Sequence, residues 1–122
     1  MVALGEPLSF WGGFDQDTGR IIDRHHRQFG TTLTGRVVLM SRSRGSSSSS
    51  SVLAEAIRAG SAPAAILMTA ADPIIVLASL VAAELYRIEC PVATVTPEGL
   101  AEIAGWPRAL VDTSRGVTEP LP

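Results

Sequence analysis

A single cysteine, Cys90, stands in a chain of 122 residues. That excludes an internal disulfide, and it excludes a metal cluster held by this chain alone, because such clusters take three or four thiolates. Beside Pro91 the thiol reads as a small buried hydrophobe. Charge is scarce as well: acidic and basic residues make up 18% of the sequence, and the formal net charge is −2. Neither end carries a run of lysines or arginines to attract a phosphate backbone, so nucleic acid is not the expected partner. Low charge and a mean hydropathy of +0.27 leave little polar surface, which predicts that some apolar surface meets another chain. The opening segment, Met1 to Pro7, lacks the basic start and apolar run of an export signal, and a cytoplasmic location is expected. The greasiest stretch, Pro63 to Leu85, is divided by Asp72-Pro73, whereas a membrane span needs about 20 uninterrupted apolar residues. It reads as buried core. There is no Gly-x-Ser-x-Gly elbow and no GxxxxGK[ST] phosphate loop.

What is present is enough hydrophobic residue, 46% of the sequence, for one continuous core, and the chain reads as a single domain over 1–122. Leu8-Ser9-Phe10-Trp11 suits a strand running into a turn at Gly12-Gly13. Asp15 to Gly19 reads as a loop, Arg20 to Ile22 as a short strand, and Asp23 to Gln28 as an exposed loop. Gly35 to Met40 is a buried strand leading straight into the serines. Beyond them Val52, Leu53, Ala56 and Ile57 share a helical face, with Gly60 placed for a C-terminal cap. Ala64 to Thr69 is a second buried strand. Asp72-Pro73 pairs an N-cap acceptor with a proline at the first helical position, predicting a helix to about Tyr86. Pro91 to Val95 is a third strand, Pro97 to Ala104 a short helix, and Ala109 to Asp112 a last strand. Strands first, then helix and strand in alternation, predict an α/β domain with a sheet or closed barrel flanked by helices.

The chemistry is concentrated in Met40-Ser41-Arg42-Ser43-Arg44-Gly45-Ser46-Ser47. Two guanidinium groups, a glycine and hydroxyls lie between a predicted strand and a predicted helix. Glycine permits a tight turn and close approach of a ligand, and amides at a helix start favour anions. Arg42 or Arg44 can add a bidentate contact to a substrate carboxylate. A serine hydroxyl is a poor base in water, yet amides and guanidinium around it favour its alkoxide. On these residues alone an anion-binding turn and a catalytic one both stand. The run of six serines from Ser46 has a further default reading as a flexible linker or phosphorylation target. Hydrophobic order resumes directly on both sides of it, which argues against a linker.

Several segments, taken together and in order, resemble the small or swivelling domain of the aconitase X group of dehydratases. They are Gly13-Phe14 with Asp23-Arg24-His25-His26, Gly35 to Leu39, Arg44-Gly45-Ser46-Ser47, Pro63 to Ile66, Ala71 to Ile75, Glu84-Leu85-Tyr86 and Cys90-Pro91-Val92. The resemblance covers most of the chain. It implies a swivelling β/β/α fold docked on a large partner subunit that carries an iron-sulfur cluster or iron, with no cofactor held by this chain. It implies hydro-lyase chemistry on a small hydroxy acid. In aconitase-like enzymes the first serine after the loop glycine removes the proton, and that position is Ser46. Arg44, Gly45 and Ser47 are its implied substrate-binding neighbours. Ordinary aconitases follow their two serines with an arginine that grips the substrate, whereas this chain continues Ser48-Ser49-Ser50-Ser51. The gripping arginine then comes from Arg44 or from the partner.

The substrates the resemblance suggests are cis-3-hydroxy-L-proline, favoured by an Ala- and Arg-rich, bacterial-looking composition, and (R)-5-phosphomevalonate. A non-catalytic anion-binding or assembly module is the competing class, and a phosphorylated regulatory loop a third. His25 and His26 read as solvated loop histidines, or as a rim to the site. Asp72 reads as a helix cap. Trp11 and Trp106 read as core or interface anchors.

Overall fold

The computed structural model describes residues 1–45, 47–112 and 116–121. In chain order its elements are β1 (Val2–Ala3), β2 (Leu8–Ser9), α1 (Phe10–Gly13), β3 (Val37–Met40), β4 (Ser43–Arg44), α2 (Ser48–Ala59), β5 (Ala65–Met68), α3 (Pro73–Tyr86), β6 (Val92–Thr94), α4 (Pro97–Ala104), β7 (Ala109–Asp112) and β8 (Val117–Pro120). The central sheet is parallel, in the order β1-β3-β5-β6. Beside it lie a two-stranded parallel pair, β2 with β4, and an antiparallel hairpin, β7 with β8.

Alternation along β3 and β5 sorts the core into two layers. Val38, Met40, Ile66 and Met68 face α2 and α3, where Leu53, Ala56, Ile57, Ile75, Ala78 and Ala82 complete the larger cluster. Leu39 and Leu67 face the other way and meet Ile103, Leu100, Trp106 and Val111 from α4 and the hairpin. Both faces are therefore covered, which is why β3 and β5 read as unbroken apolar runs. The fold is α/β, with a sheet rather than a closed barrel at its centre.

Local chemistry sets the helix ends. The Asp72 carboxylate accepts from Ile74 N–H at 2.9 Å and Pro73 opens α3. Thr96 caps α4 in the same way, accepting from Gly99 N–H at 3.0 Å. Gly60, at φ +84°, closes α2, its N–H reaching the carbonyls of Ala56 and Ile57. Each such cap contributes about 1 kcal/mol.

Three expectations are corrected near the N-terminus. The strand read over Leu8 to Trp11 stops at Ser9, because Phe10 turns into the core and Gly12, at φ +82°, swings the chain back. Arg20 to Ile22 makes only isolated antiparallel bridges, Arg20 to Thr32 and Phe14 to Ile21, while the Ile21 side chain is fully buried. The strand ending at Met40 does not run straight into the serines: β4 intervenes and pairs with β2. Three strands were not legible beforehand. β1 and β4 have only two residues each, and β8 contains a proline and lies on a hairpin outside the main sheet.

Candidate functional site

The two central strands β3 and β5 end side by side, Met40 opposite Met68. Ligands of open parallel sheets bind beyond this carboxyl edge. Two connections leave it: 41–47, leading to α2, and 69–72, leading to α3. They are bonded to each other. The Ser41 carbonyl accepts from Thr69 N–H and Ala70 N–H, both at 3.0 Å, and from the Thr69 hydroxyl at 2.9 Å. One turn further on, the Ser43 hydroxyl donates to Asp72 Oδ2, while Oδ1 of the same carboxylate caps α3. Asp72 is thus more than the helix cap read from the sequence.

The serine loop is held on its other side by β2 and α1. Leu8 and Ser9 pair with Ser43 and Arg44. Ser9 Oγ donates to Trp11 O at 2.7 Å, and Trp11 N–H donates to Ser49 Oγ at 3.2 Å. Ser49 is buried, 2% exposed, because it shares the inner face of α2 with Leu53 and Ala56. Gly45 fits between these serines. At φ +113°, a Cβ there would stand 2.2 Å from Ser9 Oγ and 3.1 Å from Ser49 Oγ. Only glycine satisfies both the dihedral and the space.

Of the four site residues read from the sequence, Ser46 lies outside the described residues. Arg44, Gly45 and Ser47 are all exposed and follow one another around the turn that delivers the chain to α2. Ser47 occupies the N-cap position without a side-chain capping bond; its carbonyl accepts from the Ser50 hydroxyl at 2.8 Å. Arg42 and Arg44 are exposed, and among the described residues neither is ion-paired with a carboxylate. Their guanidinium groups therefore stand open to an anion from solution or from a partner.

His26 is a correction. It is buried, 5% exposed, with Nε2 donating to Glu6 O at 3.3 Å and Nδ1 accepting from Gln28 N–H at 3.0 Å. That arrangement uses both ring nitrogens to tie the 23–28 turns to the segment before β2. His25 is exposed, as expected, and its N–H donates to Asp23 Oδ1 at 2.9 Å. Trp106 packs against the smaller core cluster, but Trp11 is 58% exposed beside the serine loop.

No group of three or more His, Cys, Asp or Glu among the described residues is arranged to hold a metal ion. Cys90 is buried and its Sγ–H donates to Pro63 O at 3.3 Å. The donor set of an iron centre does not fit these residues. A cleft of about 630 Å³ between β6, α4 and the β7–β8 hairpin is lined by Thr94, Thr96, Glu102, Trp106 and Asp112 and shares no residue with the serine loop. No helix among the described residues is long and apolar enough to cross a membrane.

Sequence reasoning did not assign roles to Ser9, Ser43 or Ser49. For Ser49 a signal existed: it precedes Leu53 by four and Ala56 by seven, the spacing of one buried helical face. For Ser9 and Ser43 the pairing is tertiary and leaves no local trace.

Comparison with known proteins identifies the family. Residues 1–119 match the family described as the aconitase X swivel domain. The chain is 44% identical over 108 residues, 88% of its length, to the cis-3-hydroxy-L-proline dehydratase of Pseudomonas aeruginosa, and spans only 18% of that protein. It is 42% identical over 77 residues, 63% of its length, to the phosphomevalonate dehydratase small subunit of Methanothermobacter thermautotrophicus, covering 59% of that subunit. The crystal structure of Thermococcus kodakaraensis aconitase X superposes with a TM-score of 0.77 at 26% identity, covering 99% of this chain and 87% of that one. With nearly every residue inside the matched region, the chain belongs to the aconitase X swivel domain family.

Proposed function

We propose that this chain is the small subunit of an aconitase X-type hydro-lyase, active only with a large partner subunit, and that Ser46 is its general base. The observation that carries the reading is the loop at the carboxyl edge of β3. Arg42, Arg44, Gly45 and Ser47, which flank Ser46 in the sequence, are exposed there, and Ser43 and Gly45 are held by Asp72, Ser9 and Ser49. An exposed loop at the carboxyl edge of a sheet is suited to completing a site on another protein.

The substrate best supported is cis-3-hydroxy-L-proline, because the Pseudomonas relative named for it is matched over 88% of this chain. In that compound the hydroxyl lies on the carbon next to the one bearing the carboxylate. Loss of water requires the proton on the carboxylate-bearing carbon to leave with its bonding electrons forming the new double bond, while the hydroxyl departs from the neighbouring carbon. Ser46 as alkoxide takes that proton, and Arg44 holds the carboxylate so that the carbon faces it. Gly45 and Ser47 are the proposed neighbours of Ser46 in binding the substrate, both exposed in the same turn. An iron-sulfur cluster or iron on the large subunit would supply Lewis-acid chemistry when bound; this chain would supply the base and the anion grip. A second reading, (R)-5-phosphomevalonate, is favoured by the Methanothermobacter relative, itself a small subunit of which this chain covers more than half.

The test is co-expression with the large subunit and assay on both compounds. Ser46→Ala is expected to lower kcat by about 10²- to 10⁴-fold while the two subunits still co-purify. Turnover by the isolated chain, or unchanged turnover in the variant, defeats the reading.

A further inference from the structure

We propose that Asp72 is a positioning residue for the serine loop and acts through Ser43. This rests on the reading of that loop as catalytic, and it assigns work to two residues outside the Arg44–Ser47 turn.

The carboxylate is bidentate in its use. Oδ1 accepts from Ile74 N–H at 2.9 Å, which locks the side chain in the geometry of a helix cap. Its remaining oxygen, Oδ2, is then fixed in direction and accepts from the Ser43 hydroxyl. A free carboxylate would reorient with the loop; one already committed to the rigid end of a 14-residue helix does not. The same connection grips the loop one turn earlier, where Thr69 N–H, Ala70 N–H and the Thr69 hydroxyl converge on Ser41 O. Residues 41 and 43 are therefore fastened to the β5–α3 connection. On the opposite flank Arg44 pairs with Ser9, and Gly45 fits against Ser9 and Ser49. The chain enters residue 46 clamped on both sides.

The Ser43–Asp72 bond is the part of this clamp that a side-chain change removes without touching a core residue or the α3 cap. Both residues are half-buried, so loss of the hydroxyl does not strand a charge in an apolar core. Its consequence is a loop that samples wider positions. Displacement of a reacting group by about 1 Å can cost on the order of 10²-fold in rate.

Four variants of the reconstituted two-subunit enzyme, one of them a double substitution, test this. Ser43→Ala is expected to lower kcat about 10- to 100-fold with KM within about twofold of wild type, and Ser43→Thr, which keeps the hydroxyl, restores most of the rate. Asp72→Ala removes cap and clamp together, and adding Ser43→Ala to it is expected to lower kcat no further, the non-additivity of two groups acting through one bond. Hydrogen exchange, read independently of activity, is expected to rise in peptides covering 41–50 of Ser43→Ala and to stay unchanged in α3. Unchanged exchange in 41–50, wild-type kcat in Ser43→Ala, or multiplying effects in the double variant overturns the proposal. Ser46→Ala run alongside separates the two ideas: if it retains turnover the catalytic reading falls, while the exchange result still decides whether Asp72 and Ser43 hold the loop.

Discussion

Cys90 shows how one side chain can be read twice, from the sequence and from its surroundings, with the same answer. The sequence offers a lone thiol beside a proline. In the fold it is buried under α3, donates to Pro63 O, and burial pushes its pKa up from 9.0 to about 12. A thiol whose folded pKa exceeds its unfolded one binds its proton more tightly when folded. Its contribution to stability is therefore complete below about pH 9 and is lost as pH rises toward 12, by about 1.4 kcal/mol per unit. Denaturant titrations at pH 8, 9.5 and 10.5 are expected to show wild-type stability falling more steeply than that of Cys90→Ala. A thiol reagent at pH 8 is expected to react only at the rate of unfolding. His26 illustrates the opposite case. A histidine among Asp23, Arg24, His25 and Arg27 carries no sequence mark of burial, because its partners, Glu6 O and Gln28 N–H, are backbone groups supplied by a turn and by a segment 20 residues away.

At the scale of elements, legibility followed the location of the determining interactions. α3 and α4 were delimited correctly, and each carries its start signal within two residues: Asp72-Pro73 for one, Thr96-Pro97 for the other. β3 and β5 were legible because burial on both faces makes them apolar throughout. β1, β4 and β8 were not, since they exist by virtue of a partner strand rather than of an apolar pattern of their own. α2 lies between. Its apolar face was read correctly, yet its first residues are serines, poor helix formers, and they are helical because Ser49 finds Trp11 N–H and the C-terminal end is sealed by Gly60. That seal makes a clean prediction. Gly60 has φ +84° and open space where a Cβ would go, so Gly60→Ala meets no clash and incurs only the left-handed penalty. Thermal denaturation is expected to show a loss of about 1 kcal/mol. The reconstituted enzyme is expected to keep wild-type turnover, because the altered residue lies at the far end of α2 from Ser46. A loss of activity without loss of stability would mean that α2 transmits strain to the loop.

For the whole molecule, the sparse charge noted in the sequence reappears as exposed apolar side chains: Trp11 at 58%, Leu80 at 62% and Leu85 at 67%. Of these, Trp11 lies next to the serine loop, its own N–H donating to Ser49 Oγ while the indole faces outward. A large aromatic ring beside a loop proposed to complete a site on another protein is the type of residue on which interfaces concentrate binding energy. Trp11→Ala removes the ring but keeps the backbone N–H that anchors Ser49, so the domain itself loses little. Its melting temperature is expected to stay within about 2 °C of wild type, since surface substitutions of this type cost within about 0.5 kcal/mol. Affinity for the large subunit is expected to fall about 30-fold or more, measured by titration calorimetry, in line with a cost of about 2 kcal/mol or greater for removing an interface hot-spot aromatic. The saturated complex should retain most of its kcat, since the Ser43–Asp72 and Gly45 contacts that fix the loop do not involve the indole. Unchanged affinity would move the interface to another face of the domain, and a fall in kcat at saturation would give the indole a part in holding the loop.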